Sequence, residues 1–69
     1  MEDFYYTEYL IEYRDKSTRA IQGRKTAILN RIHALPNWQE SLDRGHFSNQ
    51  LACIKALDEL LAKRQENSL

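Results

Sequence analysis

The side chains able to do covalent or metal chemistry are few: one thiol, Cys53, and two imidazoles, His33 and His46. One cysteine and two histidines cannot supply the four ligands of a usual structural zinc site, so neither a metal nor any other cofactor is expected. His46 and Cys53 are the only nucleophile–base pair that can be drawn, and nothing supplies a third group to orient the imidazole. Cys53 also sits in the apolar run Leu51-Ala52-Cys53-Ile54, where a thiol is expected to be buried and inert. A Gly-rich phosphate loop, HExxH and CxxC are all missing from the sequence. An enzyme is therefore not expected, and the chemistry left is recognition.

Three groups of residues could carry it. Arg24 and Arg31 fall near the centre of an apolar helical stripe marked by Tyr6, Tyr13 and Leu35. If two helices pair antiparallel about Pro36, Arg24 comes near Asp58, and an ion pair between them would fix the register, since an unpaired buried charge is costly. The alternative is that both arginines bury their stems and hold their heads in water. Phe4, Tyr5, Tyr6, Tyr9 and Tyr13 place five of the seven aromatic residues in the first thirteen positions. Tyrosine suits interfaces because it joins a large apolar area to a polar tip. No helix face holds all five, so Tyr5 and Tyr9 are expected at a partner surface or a contact between chains. The segment after Pro36 carries Trp38, Gln39, Leu42, Arg44 and His46, with anchor residue types for a protein partner among them. Trp38 and Phe47 can instead fold back and plug the open end of a hairpin; for Phe47, just before a cap at Ser48, that is the expected role.

The elements that must position these residues are helical. Tyr6, Leu10, Tyr13, Ala20, Ile28 and Leu35 share one stripe at 100° per residue, opposite Glu8, Glu12, Asp15, Arg19, Gln22, Thr26 and Asn30. They predict one long helix over residues 4–35, with Asp3 as its N-cap. Gly23 is its weak point, costing about 1 kcal/mol against alanine. Pro36 ends that helix, because it pushes Leu35 out of helical geometry. A connector over 36–47, with a short helical turn near Trp38–Leu42, leads to a second helix over about 48–65, and the tail Glu66–Leu69 is expected to fray. The expected fold is thus all-α, a single domain over 1–69 built as an antiparallel helical hairpin.

Sixty-nine residues bury only about 60 % of the surface their unfolded chain exposes, and small folds commonly need outside support. The second helix shows a wide apolar arc, which suits packing on its own partner and on another chain. A homodimer forming a four-helix assembly is expected, with Tyr6, Leu10, Tyr13, Ile28, Leu51, Ile54, Leu57 and Leu61 in its core and dimer contacts. Net charge is zero, but residues 1–13 carry −4, residues 14–33 carry +5 and residues 34–69 carry −1. The basic segment 14–31, with Arg14, Lys16, Arg19 and Lys25, admits a nucleic-acid-binding regulator as an alternative. The balanced total argues against it, because dedicated binders usually carry a net positive charge. A structural assembly component is a further alternative. With no basic n-region before Arg14 and no apolar run of about 18 residues, a cytoplasmic protein without a membrane partner is expected.

The aromatic opening Asp3-Phe4-Tyr5-Tyr6, the break Leu35-Pro36-Asn37-Trp38 and the leucine-rich closing helix resemble the small anti-quorum-sensing inhibitors encoded by Pseudomonas phages. That resemblance covers the chain in length and its helices in pattern, and it rests on no specific motif. It implies a helical dimer in the host cytoplasm that blocks a host protein, either the DNA-binding domain of a LuxR-type regulator or the type IV pilus assembly ATPase.

Overall fold

A computed structural model describes residues 2–67 of the chain, and these are all-α, with no strand among the described residues. Four helices follow one another: α1 (Glu2–Tyr13), α2 (Thr18–His33), α3 (Trp38–Asp43) and α4 (Ser48–Asn67). Of the tail expected to fray, Glu66 and Asn67 still belong to α4, and Ser68 and Leu69 lie outside the described residues.

The long first helix is in fact two. Ser17 adopts an extended backbone (φ −66°, ψ 157°), and its hydroxyl accepts a hydrogen bond from the Ala20 N–H at 3.1 Å, the geometry of an N-cap. Ser17 also lends its carbonyl to the first bond of α2, from the Ile21 N–H at 3.1 Å. The carbonyls left over at the end of α1 are met from across the fold. Arg64 of α4 donates to the carbonyl oxygens of Arg14 and Lys16 and to Thr18 Oγ1, so one guanidinium fastens the whole elbow. At the other end, α1 begins at Glu2, so Asp3 lies in its first turn and not at the cap expected for it.

The second break follows the expectation from Pro36. Asn37 takes the left-handed conformation (φ 58°, ψ 33°), which asparagine tolerates better than most residues, and α3 starts directly after it. That helix closes in a Schellman motif: Gly45, at φ 80°, donates to the Leu42 carbonyl, and the His46 N–H reaches the Ser41 carbonyl, both at 3.0 Å. Leu51 N–H bonds the Phe47 carbonyl at 2.8 Å, which makes Phe47 the cap of α4 and Ser48 its first helical residue, one position from expectation.

Packing turns the expected hairpin into a three-helix bundle closed by α3. Tyr6 meets Glu59, and Arg64 meets the elbow, so α1 runs in the same direction as α4. Lys25 meets Asp58, and Thr18 meets Arg64, so α2 runs against it. Both helices lie on α4, which accounts for its wide apolar arc: Ala52, Cys53, Ile54, Ala56, Leu57 and Leu60 are all buried within one chain. A second molecule is not needed to cover that arc, contrary to its reading from sequence. Ile21, Ile28 and Ile32 of α2 complete the core with Phe47. Tyr9, Leu10, Tyr13, Leu29, Trp38, Leu42 and Leu61 pack half-buried around it. Tyr6 is also half-buried, whereas Leu51 is 42 % exposed on the outer side of α4 and takes no part in the core assigned to it. Ala20 and Leu35, placed on the buried stripe by periodicity, are exposed, Leu35 lying beyond the end of α2.

Candidate functional site: a cationic groove between the helices

Between α1, α2 and the start of α4 lies a groove of about 450 Å³. Its floor is apolar and buried, made by Ile28, Ile32, Phe47 and Cys53. Tyr5 and Tyr9 form the α1 wall, Arg24 and Arg31 the α2 wall, and Asn49 and Gln50 come from the first turn of α4. Leu35 also lines it, and among the residues whose side chains are described no carboxylate does.

The two arginines are held differently. Arg24 donates to the Tyr9 hydroxyl from Nη2 at 3.0 Å and from Nε at 3.3 Å, with its guanidinium carbon 6.0 Å from the ring centre. That hydrogen bond, with the nearby phenols, pushes the Arg24 pKa up still further, so it is charged throughout the ordinary pH range. Tyr9 in turn stacks on Tyr13 at 5.2 Å, and burial raises the Tyr13 pKa. Arg31 is exposed and makes neither an ion pair nor a hydrogen bond among the described residues. Burial pushes the Cys53 thiol up as well, against smaller opposing pulls from the Tyr9 hydroxyl and the Arg24 charge. The thiol is thus held mainly in its protonated form and is slow to react, which suits a residue of the groove floor.

The expected register pair forms with a different cation. Asp58 accepts from Lys25 Nζ at 2.5 Å, while Arg24 turns to Tyr9. The neighbouring residue wins because the elbow rotates α2, which brings Lys25 over α4 and moves Arg24 to the α1 side. With both partners substantially exposed, the pair contributes about 1 kcal/mol at most. Elsewhere on α1, the Tyr6 hydroxyl donates to the Glu59 carboxylate, and Lys55 Nζ stands 5.4 Å from the Tyr6 ring centre. The bond to Glu59 raises the Tyr6 pKa.

The connector residues split between two tasks. Trp38 is half-buried, with its ring 4.5 Å from that of His33, and Leu42 packs beside it against the core. Gln39, Arg44 and His46 are exposed, Arg44 being paired with Glu40 at 2.7 Å one turn away. Tyr5 and Tyr9 line the groove, and none of Trp38, Gln39, Leu42, Arg44 or His46 does. Sequence reasoning therefore named two walls of the groove without joining them, and it missed Ile32, Asn49 and Gln50. A signal for Ile32 was available, since Ile21, Ile28 and Ile32 repeat at helical spacing from the Ser17 cap.

No protein-family model matches the chain, and no curated protein or solved structure shows significant similarity to it. Fold and site therefore define an all-α helical bundle with a positively charged groove. No helix among the described residues is long and apolar enough to cross a membrane.

Proposed function

We propose that this protein is a homodimeric binding module that inhibits or adapts another protein by covering its surface. The observation that carries this reading is an exposed apolar ridge on α1. Phe4 is 60 % exposed and Ile11 55 % exposed, and they stand two turns apart on one line of the helix. Two large apolar side chains left exposed on one line of a helix, in a chain whose core is already filled, support a contact face there. Glu8 and Glu12 border it, giving the apolar centre and charged rim usual for an interface. The ridge is assigned to the second copy, and the end of the bundle bearing Gln39, Arg44 and His46, backed by Trp38 and Leu42, to the partner protein. A LuxR-type transcription regulator or the type IV pilus assembly ATPase is the partner class carried over from the phage-inhibitor resemblance.

The basic segment gives less support to nucleic acid. Lys25 is taken by Asp58, Arg24 by Tyr9, and Arg14 stands 3.8 Å from Asp15. Of the four cations expected to bind phosphates, that leaves Lys16 and Arg19 clear of carboxylates among the described residues, a shorter patch than the continuous stripe phosphate binding uses.

The two surfaces separate experimentally. Sedimentation of the wild-type chain at micromolar concentration is expected to show a dimer, and Phe4→Ser with Ile11→Ser to show a folded monomer. Replacing Gln39, Arg44 and His46 by alanine is expected to keep the dimer while losing a protein that the wild type captures from host lysate. A folded wild-type monomer refutes the dimer, and an unchanged capture profile refutes the connector.

A further inference from the structure

We infer that the groove between α1 and α2 is a binding site for a small apolar monocarboxylate, a medium-chain alkyl or aryl acid. The site is independent of the proposed dimer ridge and of the connector surface, since neither Phe4 nor Ile11 nor any exposed connector residue lines it. Its volume of about 450 Å³ is in the range of small-molecule clefts, and an acid of roughly eight to twelve carbons suits its lower end.

Charge selects an anion. Two arginines line the groove and, among the residues whose side chains are described, no aspartate or glutamate does, although the chain carries as many acidic as basic residues. The number of open guanidinium donor edges selects the headgroup. Arg24 is committed to Tyr9, whereas Arg31 has no partner among the described residues. One open guanidinium matches one carboxylate through two parallel hydrogen bonds. A phosphate monoester, carrying closer to two charges and three acceptor oxygens, would call for a second guanidinium with its donor edge open, whereas Nε and Nη2 of Arg24 are turned to Tyr9. The first turn of α4 adds its positive end at Asn49 and Gln50, which reinforces the preference for an anion. The remainder of the ligand is selected by the floor. Ile28, Ile32, Phe47 and Cys53 offer an apolar bed with no charged group, and half-exposed Leu35 adds to the apolar lining. A hydrated anion without a tail would leave that bed uncovered.

Cys53 supplies a built-in reporter, because its buried thiol forms part of the floor. The test measures the rate of Cys53 modification by a disulfide reagent as decanoate is added, with isothermal titration on the same samples. Decanoate is expected to slow modification saturably and to bind at least tenfold more tightly than decanol, the uncharged analogue, or acetate, the headgroup alone. Arg31→Gln is expected to weaken decanoate about tenfold without changing decanol, and Arg31→Lys to recover part of that loss. Because Arg31 is exposed and unpaired, these variants should retain wild-type circular dichroism. Equal affinity for decanol and decanoate on the wild-type protein overturns the proposal without any variant. So does decanoate that leaves Cys53 reactivity unchanged, or decyl phosphate binding more tightly than decanoate.

Discussion

Replacing Ser17 by alanine tests the elbow through the sign of its effect. In an uninterrupted helix over residues 4–35, Ser17 would be an exposed interior position, and alanine there would stabilise by roughly 0.5 kcal/mol through its higher helix propensity. At an N-cap the same change removes the hydroxyl that accepts the Ala20 N–H at 3.1 Å and destabilises by about 1 kcal/mol. Ser17→Gly sharpens the distinction, costing only a few tenths of a kcal/mol at a cap but about 0.5 kcal/mol or more inside a helix. The expected order of stability is therefore Ser, then Gly, then Ala, whereas a continuous helix gives Ala, then Ser, then Gly. A chain of this size has a urea m-value near the low end, about 1 kcal/mol per molar. The alanine variant should then shift the midpoint down by about 1 M, well resolved by circular dichroism at 222 nm. An alanine variant more stable than wild type would refute the elbow, and with it the placement of α2 against α4.

Other perturbations address the core, the connector and pH. Leu57 is fully buried, so Leu57→Ala should cost about 2–5 kcal/mol. Set against a total stability of roughly 3–10 kcal/mol for this length, that is enough to leave much of the chain unfolded at 37 °C, as read by thermal melting. Gly45→Ala should cost about 1–2 kcal/mol from backbone strain alone, because φ is 80° and an added Cβ would meet nothing within 4 Å. Gly23→Ala should raise the melting temperature, since that helical glycine also has open space around it and gains about 1 kcal/mol of propensity. The Tyr6 proton is held more tightly in the folded state than in the unfolded one, so its contribution is intact below pH 10 and is lost as pH rises through the raised folded pKa. Urea midpoints should therefore fall above pH 10, and Tyr6→Phe should flatten that part of the profile; an identical slope in the variant would assign the effect elsewhere.

How much of this was legible depended on whether a boundary had its own chemical mark. Pro36 announced the second break, and the short helix beginning at Trp38 and the long closing helix followed from it. The first break has neither proline nor glycine: Arg14-Asp15-Lys16-Ser17 are all residues a solvated helix face accepts. Its mark is a single serine whose hydroxyl caps α2, and serine is as compatible with an exposed helical position as with a cap until tertiary contacts decide. Here they do, through an arginine 46 residues away from Thr18, a partner no local pattern could name. The apolar arc of α4 was visible, but what covers it was not. Periodicity shows that two neighbours are needed, and it does not say whether the second comes from the same chain.

The same elbow explains the arginines that looked misplaced. Counted from Tyr6 as one helix, Arg24 and Arg31 lie at the middle of the buried stripe, where a charge is hard to accommodate. Counted from the Ser17 cap, the face of α2 that packs inward is the line of Ile21, Ile28 and Ile32, and the two arginines fall roughly 60–80° to one side of it at 100° per residue. Lys25 falls on the other side, over Asp58. The break thus converts an apparent core defect into a sorted pair of flanks, one neutralised against α4 and one lining the groove beside Tyr5 and Tyr9. Among the described residues, only Arg24 of the two groove arginines then has a partner. Arg31 faces solvent beside buried apolar surface, where its charge does nothing for the core and is free to select what enters.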